Sequence, residues 1–93
     1  MVKAKQPPTS VMIATPTIDG RLDYRFVSSL MRTFDLLRAK GIAHTVNFEV
    51  GNSLIADARN RLVRNFLNSD YTDLLFIDSD IGWEPESVLR LLS

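Results

Sequence analysis

The chain has 93 residues, with 11 Lys and Arg side chains against 11 Asp and Glu, and it contains no cysteine. A chain of this length forms one domain at most, because domains commonly run to about 100–150 residues. The lack of cysteine excludes a disulfide scaffold, a thiolate zinc site and a cysteine nucleophile. A net charge of +0 argues against a dedicated nucleic-acid-binding module, which normally has a strongly basic face.

The apolar segments are too short for a membrane span or a signal peptide. The longest aliphatic or aromatic runs are about as long as Leu74–Ile77, which is far shorter than a segment that crosses a bilayer. The N-terminal residues include no apolar core of signal-peptide length. We therefore expect a cytoplasmic protein with no membrane span and a flexible N-terminal tail over residues 1–10.

Acidic side chains are concentrated near the end of the chain. Residues 1–64 hold 10 basic and 5 acidic side chains, whereas residues 65–93 hold 1 basic and 6 acidic. Acids gathered in a short segment suit a cation, although a solvated acidic surface gives the same pattern.

The first predicted elements are a strand and a helix. Val11–Ala14 is a short apolar run that ends at Thr15-Pro16, which is typical of a buried strand. From Asp23, a good N-cap residue, apolar side chains recur every three or four positions until Gly41 stops the pattern. The predicted buried face of this helix consists of Phe26, Val27, Leu30, Met31, Phe34 and Leu37.

Two further strand–helix pairs follow. Ile42–Val50 is rich in β-branched residues and predicts a second strand. Asn52 and Ser53 are cap candidates for the next helix. Leu74–Ile77 is apolar throughout, as expected of a central parallel strand, and Pro85 fits the first turn of a last helix. The apolar stripe of the second helix is predicted to contain Leu54 or Ile55, Ala58, Leu62, Val63, Phe66 and Leu67.

This order of elements makes two βαβ units. It predicts an α/β fold of three layers with a Rossmann-like, mostly parallel sheet. The last helix is not followed by another strand, so one edge of the sheet would stay uncovered. We therefore expect the domain to be incomplete and residues 11–93 to be the N-terminal part of a longer protein.

The most informative chemical feature is Asp78-Ser79-Asp80, which directly follows the third strand. Ligands of open α/β sheets bind beyond the carboxyl ends of the strands. Gly82 and Pro85 favour a turn at this place, in which the two carboxylates can converge on a cation. Hard oxygen ligands without His or Cys indicate Mg²⁺ or Mn²⁺. An N-capping pair ahead of the last helix is the competing interpretation.

Three segments together resemble a known family. Ile13-Ala14-Thr15-Pro16 ends the first strand, Ala58-Arg59-Asn60 lies in the second helix, and Asp73-Leu74-Leu75-Phe76-Ile77-Asp78-Ser79-Asp80 contains the third strand. In order and spacing, over about residues 11–92, this set resembles the nucleotide-binding half of GT-A glycosyltransferases. The likeness is closest to family 2-like members and to related mannosyltransferases with an Ala-Arg-Asn segment.

The resemblance implies a site for a nucleoside-diphosphate sugar donor. Asp80 would bind Mn²⁺ or Mg²⁺ together with Asp78, which would also lie near the ribose with Ser79. Glu49 would meet the nucleoside base, and Arg59 would pair with the diphosphate or with Asp78. The exit loop of the first strand would lie against the nucleoside with Ala14, Thr15, Pro16 and Thr17.

A complete GT-A domain has further strands, which supply the acceptor site and the catalytic base of inverting enzymes. This chain contains no candidate for either role, so the base stays unassigned. The acceptor could be a glycan, a lipid or a protein. We expect the chain to be part of a metal-dependent glycosyltransferase and to be inactive by itself.

Other functions remain open at this point. Haloacid-dehalogenase-like phosphatases also have an Asp-x-Asp motif after a strand, but theirs follows the first strand and continues to Thr or Val, where this chain has Ile81-Gly82. Response-regulator receivers have an Asp where Asp78 lies, but they need an acidic pair after the first strand. A non-catalytic nucleotide-binding or protein-interaction fragment is the alternative from another class, with self-association through the uncovered sheet edge.

Several residues also have a purely structural interpretation. Arg59 could pair with Asp57 or with solvent instead of a ligand, and such a solvent-exposed or paired role is favoured for Arg61 and Arg64. His44 is the only histidine and lies within a strand pattern, so we expect a structural role for it. For Trp83, we favour packing on the core or covering the site over binding a sugar.

Overall fold

The computed structural model describes residues 2–3 and 8–92. A two-residue strand, β1, precedes three strand–helix pairs. The elements are β1 (Val2–Lys3), β2 (Ser10–Thr17), α1 (Tyr24–Ala39), β3 (Ala43–Val50), α2 (Ile55–Leu67), β4 (Asp73–Phe76) and α3 (Pro85–Leu92).

The sheet has the strand order β1-β4-β2-β3. Strand β2 is parallel to both of its neighbours, β3 and β4, whereas β1 is antiparallel to β4. The prediction of an α/β fold with a mostly parallel sheet is therefore confirmed. Strand β1 falls inside the predicted N-terminal tail, of which residues 1 and 4–7 lie outside the described part of the chain.

Helices cover both faces of the sheet, so the fold has three layers as predicted. Alternate side chains of a strand point to opposite faces, which separates Val11 and Ile13 of β2 from Met12 and Ala14. On the face covered by α1 and α3, the core consists of Val11, Ile13, Phe26, Leu30, Leu37, Leu75, Val88 and Leu92. On the face covered by α2, it consists of Met12, Ala14, Leu62, Phe66 and Leu74.

The two ends of α1 lie where the sequence predicts them. The Asp23 carboxylate accepts a hydrogen bond from the backbone N–H of Arg25 at 2.8 Å and caps the helix. Beyond the C-terminus, Gly41 adopts a φ of +70°, a conformation that favours glycine and ends the helix.

The buried face of α1 differs from the prediction. Val27 and Met31 are 36% and 64% exposed, while Ser29 and Thr33 are 6% and 0% exposed. The helix is rotated about its axis so that both hydroxyls face the core, where each accepts a hydrogen bond from Trp83. Apolar periodicity alone cannot indicate such a rotation.

Strand β2 is longer than predicted, because Thr15, Pro16 and Thr17 continue it. These three residues pair with Phe48, Glu49 and Val50 of β3, whereas the pairing with β4 ends at Ala14. Pro16 therefore lies where β2 has only β3 as a neighbour. Because β4 does not extend this far, the missing N–H of Pro16 removes no hydrogen bond to β4.

The apolar stripe of α2 is narrower than predicted. Ala58, Leu62 and Phe66 are buried, whereas Leu54, Ile55 and Leu67 are each more than 60% exposed. Ile55 is exposed because it lines a cavity at the edge of the sheet.

Candidate functional site

A cavity of about 640 Å³ opens at the carboxyl ends of β2 and β4. Strand β3 lies on one side of β2, and β4 lies on the other side. The direction in which the chain adds strands to the sheet therefore reverses between β2 and β4. Open α/β sheets bind ligands in the crevice formed at such a switch point. The cavity is lined by Pro16, Thr17, Ile18, Asp19, Asn52, Ile55, Ala58, Arg59, Asp78, Ser79 and Asp80.

The segment Asp78-Ser79-Asp80 forms a turn, as expected. The Ile77 N–H donates to the Ala14 carbonyl at 3.1 Å, and the Ile81 N–H donates to the Asp78 carbonyl at 3.3 Å. Neither the Asp78 nor the Asp80 carboxylate forms a hydrogen bond or ion pair with any residue that the structure describes. The interpretation of the two acids as caps of α3 is therefore wrong, and both carboxylates are available to a ligand.

Arg59 of α2 is the basic side chain that lines the cavity. Its guanidinium carbon lies 5.9 Å from the centroid of the Phe76 ring, within the range of a cation–π interaction. It has no ion pair within residues 8–92. The predicted alternative partner, Asp57, pairs instead with Arg61 at 3.2 Å.

Glu49 and Asp57 belong to a neighbouring network. Arg61 contacts Glu49 at 3.5 Å in addition to Asp57, which confirms the paired role expected for Arg61. The Asn52 amide donates to Asp57 at 2.6 Å and lowers the pKa of that carboxyl, with a smaller contribution from Arg61. This network lines a second cavity of about 390 Å³, which shares Asn52 with the first.

The capping role predicted for Asn52 and Ser53 needs correction. The N-cap residue of α2 is Leu54, which supplies no side-chain cap. Asn52 accepts a hydrogen bond from the Leu54 N–H at 3.0 Å and so closes the turn that leads into the helix.

Asp19 also lines the cavity and was not predicted as a site residue. Its carboxylate accepts the Arg21 N–H at 3.0 Å, and this hydrogen bond is the largest cause that lowers the pKa of Asp19. The Thr17 hydroxyl lies 3.5 Å from the same carboxylate oxygen. The available signal was an acid next to Gly20 in the loop that leaves the first strand.

The cavity brings together most of the residues predicted from the family resemblance. Ala14 and Thr15 are 0% exposed inside β2 and lie outside the lining. Glu49 lies in the second cavity. The predicted residues that share the first cavity are Pro16, Thr17, Arg59, Asp78, Ser79 and Asp80.

Two aromatic residues have structural roles. His44 places Nδ1 2.8 Å from the Ile42 carbonyl oxygen and packs against Phe34, with 4.5 Å between the ring centroids. Trp83 packs edge-to-face on Phe26 at 5.4 Å. These contacts confirm the structural role expected for His44 and the core packing expected for Trp83.

The residues that could bind a metal are few. Within the described residues, no group of three or more His, Cys, Asp or Glu side chains is arranged to hold an ion. Asp78 and Asp80 supply carboxylate oxygens, the ligands that Mg²⁺ and Mn²⁺ prefer. Mg²⁺ is commonly bound by one or two carboxylates together with substrate phosphates, so this pair fits a cation shared with a phosphate ligand.

Comparisons of the chain with protein-family models, with curated proteins and with solved structures find no match. Among the described residues, no helix has the length and apolar character needed to cross a membrane.

Proposed function

We propose that this chain is the donor-binding part of a metal-dependent glycosyltransferase of the GT-A type, which binds a nucleoside-diphosphate sugar. The proposal rests on one observation above all. A switch-point cavity contains the carboxylates of Asp78 and Asp80 together with the Arg59 guanidinium, and none of the three has an ion pair among the described residues. A diphosphate with a divalent cation is the ligand whose charges complement this set.

The charges explain why the diphosphate would need the cation. The three carboxylates of Asp19, Asp78 and Asp80 against the one guanidinium of Arg59 give the cavity lining a net negative charge, so a bare diphosphate would be repelled. When bound between the acids and the phosphates, Mn²⁺ or Mg²⁺ acts as a Lewis acid that neutralises charge on the leaving diphosphate. Asp80 and Asp78 would hold the cation, and Arg59 would bind a phosphate oxygen with its planar fork of donors.

Thr17 and Ser79 are polar groups on the walls of the same cavity. Pro16 and Thr17 lie at the end of β2, beside the acids that follow β4, and would flank the nucleoside. Glu49 would contact the base only if the nucleotide extended past Asn52 into the second cavity.

The reaction after donor binding is sugar transfer to a glycan, lipid or protein acceptor. No residue is assigned as the catalytic base, because Asp78 and Asp80 would hold the cation and Asp19 already accepts hydrogen bonds in its own loop. We therefore expect donor binding, and no rapid turnover, from this chain by itself.

Isothermal calorimetry with UDP, GDP and ADP tests the proposal, each in the presence of Mn²⁺ and then of EDTA. We expect at least one of the three to bind with Mn²⁺ and none to bind with EDTA. No binding of any of them with Mn²⁺, to a chain that circular dichroism shows to be folded, would contradict the proposal. Equal binding in EDTA would favour the metal-independent nucleotide-binding alternative.

A further inference from the structure

The loop that follows β4, residues 77–84, is hydrogen-bonded to α1 and its cap. The Ser79 carbonyl accepts the Asp23 N–H at 2.9 Å. The Trp83 backbone N–H donates to the Ser29 hydroxyl at 2.9 Å, and the Trp83 indole N–H donates to the Thr33 hydroxyl at 2.8 Å. Asp80 lies between Ser79 and Trp83 in the sequence, so the loop is hydrogen-bonded to α1 or its cap both before and after Asp80.

The two hydroxyls occupy positions where the core would otherwise take apolar side chains. Ser29 and Thr33 are one helical turn apart on the buried face of α1, between Phe26, Leu30 and Leu37. Burying a hydroxyl is unfavourable unless it is hydrogen-bonded. Both have Trp83 as a partner, so the burial of these polar groups is linked to the position of the loop.

The loop also packs closely on α1. A Cβ atom at Gly82 would lie 3.1 Å from the Cβ of Arg25, a tighter contact than most Cβ atoms make. Trp83 completes the packing by its edge-to-face contact with Phe26. The loop therefore has little freedom to move toward the helix.

We propose that Ser29 and Thr33 are positioning residues, which act through Trp83 to place the Asp80 carboxylate for cation binding. This inference rests on the proposed donor-binding function. Neither hydroxyl lines the cavity, so neither contacts the ligand. Their effect would be indirect, comparable to the outer-shell partners of metal ligands, whose loss commonly weakens metal affinity about 10–100-fold.

The test uses the full chain with Mn²⁺ and the nucleoside diphosphate that binds most tightly. Ser29→Ala and Thr33→Val each remove one hydroxyl, whereas Thr33→Ser keeps the hydroxyl at position 33. Ser28→Ala, on the exposed face of α1, is the matched control. We expect the first two variants to weaken calorimetric affinity about tenfold. We expect the other two to stay within about twofold of the original chain.

Trp83 provides a second readout, because it is the only tryptophan in the chain. Loss of the Thr33 hydrogen bond should change its emission in the folded variant, and Thr33→Ser should restore it. Gly82→Ala crowds the same loop, because its methyl would lie 3.1 Å from the Arg25 Cβ and 3.5 Å from the Ser29 hydroxyl oxygen, while both hydroxyls stay in the chain. We expect a similar loss of affinity. This variant keeps the proposal testable if Thr33→Val does not fold.

The outcomes separate the two claims. If the original chain binds and the folded hydroxyl variants bind equally well, with only their melting temperatures lowered, the positioning role is overturned and the donor site stands. If Thr33→Val does not fold, unchanged affinity in Gly82→Ala overturns the positioning role instead. If the original chain binds no nucleoside diphosphate with Mn²⁺, the proposed function and this inference both fail.

Discussion

The guanidinium of Arg59 lies over the Phe76 ring, with 5.9 Å between the guanidinium carbon and the ring centroid. Arg59 comes from α2 and Phe76 is the last residue of β4, two positions before Asp78. The contact therefore joins the two elements that flank the cavity and keeps a positive charge beside the carboxylates. The Arg59 guanidinium would therefore need little rearrangement to bind an anionic ligand.

Arg59→Gln should weaken nucleoside-diphosphate binding in the presence of Mn²⁺ by about 10- to 100-fold, because it removes a charge-assisted hydrogen-bond donor. Arg59→Lys should recover only part of this loss, since an ammonium cannot supply a bidentate fork. Calorimetry measures both effects. Arg64→Gln is the matched control, because Arg64 is exposed on the same helix and lies outside the cavity. Equal affinities for the Arg59→Gln and Arg64→Gln variants would exclude Arg59 from the site.

Because of Asp23, the stability of the folded chain should change with pH in the acid range. Hydrogen bonds from Arg25, first from its side chain and then from its backbone N–H, lower the pKa of the Asp23 carboxyl below 3.8. The folded state therefore favours the charged form, and its stabilising contribution is complete above about pH 4 and lost as pH falls through the lowered pKa. Asp23→Asn keeps a good cap residue but cannot titrate. The difference in melting temperature between the two chains should be largest near neutral pH and shrink below about pH 4. A difference that does not change with pH would contradict this.

The rotation of α1 predicts which of two neighbouring residues stabilises the fold. Leu30 is 9% exposed and Met31 is 64% exposed. Leu30→Ala should lower the free energy of unfolding by about 2–5 kcal/mol, as truncations in a packed core do. Met31→Gln should change it by no more than about 0.5 kcal/mol. Urea denaturation of the two variants measures these values, and a large loss for Met31→Gln would mean that the helix has the orientation predicted from periodicity.

Asp73 at the start of β4 is 0% exposed. Neither of its carboxylate oxygens has a hydrogen-bond partner in the part of the chain that the structure describes. Burying a carboxylate with no partner among the described residues is unfavourable, so Asp73→Val should raise the free energy of unfolding by about 1–3 kcal/mol. Urea denaturation at neutral pH tests this. A loss of stability would show that the carboxylate has a partner beyond the described residues.

Local sequence signals predicted the parts of the fold that depend on neighbours in the chain. Asp23 and Gly41 mark the ends of α1 because capping and a positive φ are properties of single residues. The turn at Asp78 follows from Gly82 and Pro85 nearby. The apolar run of β4 indicates burial because both of its faces are covered by helices.

Features that depend on distant partners could not be predicted in this way. Ser29 and Thr33 are buried because of Trp83, which lies 54 and 50 residues further along the chain. Pro16 belongs to a strand because β3 pairs with it. Strand β1 has two residues, too few for any periodicity, and is defined by its pairing with β4.

The residues of the candidate site also differ in whether the sequence could predict them. Asp78, Asp80 and Arg59 were predicted because their types and order resemble a known pattern. Asp19 was missed because its place in the cavity depends on how the loop after β2 folds back through the Thr17 and Arg21 contacts. Glu49 was predicted beside the nucleoside, but the structure gives it Arg61 as a partner in the second cavity.

The central claim is that Asp80 holds a divalent cation that joins a nucleoside diphosphate to this cavity. Calorimetric titration with Mn²⁺ and the diphosphate tests it most directly in Asp80→Asn, with Asp35→Asn as the control because Asp35 is an exposed acid paired with Arg38 on α1. The claim predicts a loss of about 2–5 kcal/mol in binding free energy for Asp80→Asn, typical of removing one charge from a bound pair, and no change for the control. Unchanged binding by folded Asp80→Asn would contradict it.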